Sequence, residues 1–367
     1  MGLFDIFKKK NEMPPEQKQS ATAPSLLPTR SVEFSQDEVI PIEKRIKGVK
    51  PSCDGLYPHE VLVLSYAPKF CDNGNNFQGF WWYKYGIRDV QNVLSSLAKR
   101  GYIEQGSIVD AINMEKMPTI KEELQKRNLK SSGKKADLIS RLVENATESE
   151  LSSVFTKRPY ALTRTGTEIL KKFEWIPFIH SHMIEDLNIW NLTNLVQTPP
   201  YTNYRDKIWG YLNKRGLEHI KNRDFGLYRN SRFTMSEFVA DEGKLEVAFS
   251  LLCEVVAYDL SGLSNGFSKE FLDIYSQTYF PYEKSIVTMA PGITSRIKEY
   301  AEKLGWEEAE LHNRMIDAIG KIQLPFSLFT AKECAEIVIG EIHEDKALLD
   351  RIYSTAEARF KKLYKRK

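Results

Sequence analysis

The stretch "MPTIKEELQKRNLKSSGKKADLISRLVEN", residues 117 to 145, constrains the fold most, because it encodes two short helices that cannot stand alone. Ile120 and Leu124 form one apolar edge of the first helix. Thr119 with Glu122 reads as a capping box at its start, and Asn128 as the residue that takes the left-handed turn at its end. After the extended "LKSS", Ser132 is placed to cap a second helix, whose Leu138, Ile139, Leu142 and Val143 recur at i, i+1, i+4 and i+5. The two helices share a single thin apolar seam. Units below roughly 40 residues seldom bury enough surface to be stable without a staple or a neighbour, so the flanking chain must supply support.

Both flanks are patterned. Upstream, "IRDVQNVLSSLAKRGYIEQGS" puts Val90, Val93, Leu94 and Leu97 on one helical face, stops at Gly101 after Lys99 and Arg100, and continues into an extended "GYIEQ". Downstream, "RPYALTRTGTEILKK" predicts a strand and then a helix opened by Thr165 and Glu168 as a capping box. "PHEVLVLSYA" and "GFWWYKYGI" read as earlier helices separated by the polar "CDNGNNFQ".

The second helix of the pair opens on Lys134 and Lys135. The amides at a helix N-terminus already carry partial positive charge, so cations there cost about 0.3–1 kcal/mol and acidic residues are the usual choice. An anionic ligand would reverse that cost. The net charge of the 367-residue chain, +3, is too small to steer the whole molecule onto a polyanion, so such a ligand must be held by a local patch.

The stretch resembles the SAP motif, the helix-extended-helix module of many DNA-binding proteins. Ile120, Lys121, Leu124, Lys126, Arg127, Leu129, Ser132, Gly133, Lys135, Ala136, Leu138, Ile139, Arg141 and Leu142 fall where that pattern has the same or a similar residue. Asn128 departs from it, standing where glycine is usual, and asparagine tolerates that conformation. The resemblance implies binding of double-stranded DNA, often A·T-rich, by the second helix's N-terminus and the loop before it. Backbone amides of Gly133 and Lys134, with the ammonium groups of Lys134 and Lys135, would surround a phosphate; Ser132 lies in the same loop, and Lys126, Arg127, Lys130 and Arg141 would add positive potential.

The two flanks resemble the recognition helix, wing and closing helix of bacterial winged-helix regulators, in which a glycine-plus-aromatic strand pairs with a "YxLTxxG" strand. That resemblance implies that the SAP motif sits inside the wing, and that Gln91, Asn92, Ser95, Ser96 and Lys99 face a DNA groove. Winged helices also dock proteins, so the resemblance leaves function open.

The remainder narrows the alternatives. "MGLFDIFKKK" spaces Leu3, Phe4 and Phe7 for a membrane surface or a partner groove, although a frayed start to a disordered tail weighs more; residues 11 to 55 read as a linker, with one short strand at "SVEF". From about residue 200 the pattern is helical, and "EGKLEVAFSLLCEVVAYDL" carries Leu245, Ala248, Leu252, Val255 and Val256 on one stripe. "DLSGLSNG" lacks the alternating carboxylates of a cation loop and reads as a helix-linking turn. Cys53, Cys71, Cys253 and Cys334 show no CxxC spacing, which fits a reducing cytoplasm and no zinc cluster. His180 and His182 of "HSH" share a strand face if extended, but nothing completes a metal site, and no GxSxG or P-loop occurs.

The expected architecture is therefore mainly α: a tail and linker over 1–55, a winged-helix-like domain over 56–190 carrying the SAP motif at 117–145, and an all-α domain over 200–367. The expected function is non-enzymatic binding of duplex DNA in the cytoplasm, of a type resembling SAP-domain proteins of bacteria and their phages. No cofactor, metal or integral membrane association is expected, and the C-terminal domain would recruit a protein partner or itself. Two rivals stay open: an adaptor whose SAP motif binds protein, and a nucleic-acid enzyme whose active site escapes motif reading.

Overall fold

The structure, a computed structural model, describes residues 39–72 and 74–364. The amphipathic start "MGLFDIFKKK" and the expected strand at "SVEF" lie outside the described residues. The chain is mainly helical, with nineteen α-helices and one two-stranded sheet among the described residues. It divides into two compact units between Tyr201 and Thr202.

In the first unit, structure begins before the expected domain start. α1 (Ile42–Arg45) is anchored by the Ile42 amide, which donates to Gly86 O at 3.1 Å, and Val39, Val49 and Leu56 are buried. The reading of everything up to residue 55 as linker is corrected from Val39 onward: these apolar residues are too sparse to show a period, yet each fills a place against the fold. α2 (Pro58–Tyr66) begins on proline, whose fixed φ suits the first helical position, and Glu60 accepts from the Tyr57 amide at 2.8 Å. Its Val61, Leu62, Val63 and Leu64 are all buried, so the helix is covered on every side. α3 (Phe80–Tyr83) is a single turn, and α4 (Val90–Lys99) is capped by Asp89, whose carboxylate accepts from the Asn92 amide at 2.8 Å. Val90, Leu94 and Leu97 form the buried stripe, and Gly101, at φ +76°, ends the helix.

β1 (Ile103–Gln105) pairs antiparallel with β2 (Tyr160–Leu162), in the register Ile103 with Leu162 and Gln105 with Tyr160. Cys71 bridges to Pro159 beside them. α9 (Arg164–Lys172) follows β2 directly, capped by Thr163 and not by the expected Thr165. The Thr163 hydroxyl accepts from the Gly166 amide at 3.1 Å and donates to Gly101 O at 2.7 Å, so one residue ends the strand, starts the helix and ties both to the turn after α4. Glu168, the other half of the expected box, instead pairs with Arg164 at 2.9 Å. A β-carbon on Gly166 would lie 2.1 Å from Tyr102 O, so only glycine allows the helix to approach the ribbon.

Residues 106–159 run between the paired strands and form four helices: α5 (Ile108–Met114), α6 (Met117–Lys126), α7 (Lys135–Glu144) and α8 (Glu148–Val154). Their common core holds Ile108, Ile112, Ile120, Leu124, Leu138, Leu142, Leu151 and Phe155. α5 and α8 are the neighbours that the thin α6–α7 seam requires. Each opens on a capping box, Ser107 with Asp110 and Thr147 with Glu150. The unit closes with α10 (Trp175–Ser181) and α11 (Ile189–Val196), which carries it past residue 190.

The second unit is all α: α12 (Tyr204–Asn222), α13 (Phe225–Ala240), α14 (Leu245–Leu260), α15 (Leu272–Tyr279), α16 (Pro291–Leu304), α17 (Glu308–Gly320), α18 (Ala331–His343) and α19 (Lys346–Leu363). α14 buries more than the expected stripe, since Phe249, Cys253, Ala257 and Tyr258 are buried as well, and it runs through the centre of the unit. The "DLSGLSNG" segment is a turn in which Gly262 and Gly266 adopt φ of +78° and +76°.

Candidate nucleic-acid interface

α6 starts three residues earlier than Thr119 would place it: Lys116 is the N-cap, and Pro118 in the first turn sets the helical φ. At the other end Asn128 has φ +58°, and the Leu129 amide returns to Leu124 O at 2.8 Å. The extended link to α7 is braced by Arg141, whose guanidinium donates to Lys130 O at 2.5 Å and Ser132 O at 3.3 Å. Gly133, at φ +134°, turns the chain into α7. Lys134 is then the N-cap, so the expected cap at Ser132 is two residues early. Asp137 reaches back to accept from the Lys134 amide at 3.2 Å, which puts one carboxylate inside the first turn. The anion demanded by two lysines at a helix start is thus partly supplied from within.

Residues 116–146 contain eight basic and four acidic residues, a net +4 that exceeds the +3 of the entire chain. The basic side chains divide sharply by partner. Lys126 lies 2.7 Å and Arg127 2.6 Å from the two oxygens of Glu123, which is 5% exposed, and Lys126 also meets Glu122 at 3.1 Å. The hydrogen bond from Lys126 is the largest influence holding the Glu123 carboxyl below the usual range, with Arg127 adding to it. Arg141 is occupied by backbone carbonyls. Lys135 donates to a neutral acceptor, Asn113 O, at 2.5 Å, at the end of α5. Lys116, Lys121, Lys130 and Lys134 are exposed with no carboxylate of the described residues in ion-pair range. The uncompensated charge therefore sits at the start of α7 and the link before it, Lys130 and Lys134, and on the first half of α6, Lys116 and Lys121, but not at the end of α6.

Residues 116–146 match the family of the SAP domain. This segment is a SAP domain. A SAP domain points to nucleic acid as the partner, and two of its uncompensated lysines, Lys130 and Lys134, lie in the link to its second helix and at that helix's start. No curated protein and no solved structure matches the chain.

The residues expected on α4 are divided by the structure. Gln91 is turned inward: its amide donates to Asp72 O at 3.0 Å and the Tyr160 hydroxyl at 3.2 Å, and accepts from Asn75 at 2.8 Å. Ser95 donates to Gln91 O at 2.9 Å and Ser96 is half-buried, while Asn92 and Lys99 are exposed. Asp89 at the helix start adds negative charge where a phosphate would approach. α4 is thus less suited to a polyanion than the SAP domain outside it.

The "HSH" segment lies at the end of α10, so His180 and His182 do not share a strand face. The His180 ring nitrogens lie 2.8 Å from the Tyr66 hydroxyl and 2.5 Å from that of Tyr85. Burial, and then Lys84 and Lys69, push its pKa down to about 4, so it is a neutral linchpin among aromatic rings. No group of three or more His, Cys, Asp or Glu side chains is disposed to hold a metal among the described residues. The second unit has a groove of about 750 Å³ lined by Tyr228, Arg232, Glu254, Trp306 and Arg314, among others, but Arg232, Glu254 and Tyr228 are joined to one another. Among the described residues no helix is long and apolar enough to cross a membrane.

Two exposed basic residues escape pattern reading. Lys116 belongs to the cap of α6, and Lys157 lies on the return path to β2, with no ion-pair partner among the described residues. The capping boxes at Ser107 and Thr147 were the signal that α5 and α8 exist.

Proposed function

We propose that this protein binds duplex DNA through its SAP domain, without catalysis, and that the all-α unit recruits a protein partner or a second copy. The observation that carries this reading is the concentration of unpaired lysines at the start of α7, within a segment whose net charge exceeds that of the whole chain. Phosphates are the anions that such an array suits, with Gly133 and Lys134 amides, Lys134, Lys135 and Lys130 as contacts. Contacts of this type hold DNA without reading its sequence.

The first unit is best understood as a winged-helix arrangement whose wing, β1 and β2, carries the SAP domain and its two bracing helices. The helix–strand order, the "YALTRTG" turn with its obligatory Gly166 and the bridge from Cys71 to Pro159 support this. α4 would then serve mainly to hold the ribbon. A cytoplasmic, phage- or bacterial-type setting is in keeping with four unpaired thiols.

Binding of the full chain to a fluorescent duplex of arbitrary sequence, at rising salt, tests the reading. The expected result is a logarithmic affinity that falls linearly with logarithmic salt, and intact DNA when a divalent metal is added. Salt-independent binding, or none, would favour the adaptor reading, and metal-dependent cleavage the enzymatic one.

A further inference from the structure

One basic group outside the SAP domain, Lys157, is linked by a continuous chain of contacts to Lys135 at the start of α7. Lys135 reaches Asn113 O at 2.5 Å. The next residue, Met114, is an exposed apolar side chain whose sulfur is 3.8 Å from that of Cys71. The Cys71 amide donates to the Asn75 side chain at 2.7 Å, and a β-carbon on the adjacent Gly74 would be 3.9 Å from the Lys157 ammonium. Lys116 follows Met114 by two residues. Lys135 thus touches the end of α5, and Lys157 is joined to the same end through Cys71 and its loop, while Lys134 and Lys116 neighbour these residues in sequence.

We propose that the phosphate-binding surface continues from the SAP domain across the end of α5 to Lys157, so that one duplex is held by the SAP domain and by the base of the β1–β2 ribbon together. This rests on the reading that the SAP domain binds duplex DNA. The partner is the sugar-phosphate backbone of a double helix, which presents a charge every 3.4 Å along each strand and so can satisfy several separated ammonium groups at once. Three observations favour it. Lys157 has no carboxylate partner among the described residues, whereas its neighbour Arg158 is spent on Glu148 at 3.5 Å and Ser152 at 2.8 Å. Lys135 is fixed by a neutral carbonyl, which orients the ammonium without cancelling its charge. The ribbon pairing and the α5–α8 core fix the SAP domain to the ribbon, so no flexible link has to be ordered on binding. Asp72, Glu115 and Asp137 are acidic groups beside this track, Asp72 next to Cys71 in the chain and Asp137 in the first turn of α7.

The experiment is a salt titration of duplex affinity on the full chain, comparing Lys157→Gln, Lys157→Arg and Asp72→Asn with Lys134→Gln and the wild type. A lysine that neutralises one phosphate contributes about 0.9 to the logarithmic salt slope. The expected result is that Lys157→Gln lowers the slope by roughly one, as Lys134→Gln does, that Lys157→Arg keeps it, and that Asp72→Asn tightens binding. Lys157→Gln and Asp72→Asn at wild-type affinity and slope, with Lys134→Gln weakened, would overturn the extended surface while leaving the SAP reading intact. No salt-dependent binding in the wild type would remove both. Thermal melting of each variant separates lost contacts from lost folding, since Lys157 is exposed and supports no other group.

Discussion

Lysines in the SAP domain of this protein differ in what they can do because their partners differ. Lys126 and Arg127 share the buried carboxylate of Glu123, so replacing either with alanine is expected to leave the salt slope of duplex binding close to wild type and to lower stability, by roughly 1–3 kcal/mol for Arg127→Ala, whose loss strips a hydrogen-bonded charge from a covered carboxylate. Denaturant melts beside binding titrations check this; a halved slope with an unchanged melt would show that these side chains reach DNA. Lys134 behaves oppositely, being exposed and tied by its backbone only, and its replacement by glutamate should spare the fold. Lys135 cannot be reversed so cleanly, because its ammonium also joins α7 to Asn113. A second residue-scale expectation concerns His59, 8% exposed, packed between Tyr57 and Trp190, with its Nδ1 unpartnered and its pKa pushed down to about 4 by burial. Between its ordinary pKa of 6.5 and 4, the unfolded chain takes up a proton that the folded chain refuses, so stability is full above that window and falls as the pH drops through it. His59→Phe should flatten this acid limb in melts recorded from pH 7 to pH 4; an unchanged limb would place the acid sensitivity at His180 or the carboxylates.

Elements are held by close approaches that a periodic pattern does not display. α9 and the ribbon meet at Gly166, and Gly166→Ala is expected to cost more than about 2 kcal/mol, because a methyl group would overlap the Tyr102 carbonyl and the backbone has to move. Chemical denaturation reads this directly, and a loss under about 0.5 kcal/mol would mean that the helix does not lie against the strand. The α6–α7 pair was legible from its sequence because apolar spacing, Gly133 and Asn128 all express local preferences. Its exact caps were not: Pro118 and the backbone turn at Gly133 moved both helix starts away from the hydroxyl residues that would ordinarily mark them. Likewise Thr163 displaced Thr165, because a strand ended one residue before it. Gln91 lay beyond sequence reasoning altogether, since an amide on the solvent side of a helix looks the same whether it meets a groove or, as here, a distant loop and a tyrosine on β2. α5 and α8 were not read from the sequence: their signals, the boxes Ser107 with Asp110 and Thr147 with Glu150, open helices too short to show apolar periodicity.

At the scale of the whole molecule, two units meet in chain order at an exposed stretch, residues 197–203, containing two prolines. Brief proteolysis is expected to cut there first and to leave an N-terminal fragment that retains duplex binding with the slope of the full chain; cleavage first within residues 106–159 would contradict the close packing of the SAP domain with α5 and α8. The mainly helical class and the change of character near residue 200 could be read from periodicity, because helical spacing persists through long segments. The work of the second unit could not, since its aromatic and charged residues mostly satisfy one another, as Arg229 does with Asp259 at 2.7 Å and Arg359 with Glu333 at 2.7 Å. In this reading the SAP domain grips the DNA backbone with lysine charge that carboxylates of the described fold cancel only in part. The most direct measurement is the salt dependence of duplex affinity for the full chain with and without Lys134→Glu. A steep wild-type slope that falls by about one in the variant, equally for duplexes of unrelated sequence, is expected, with melting unchanged. Identical slopes in two equally folded proteins would contradict it.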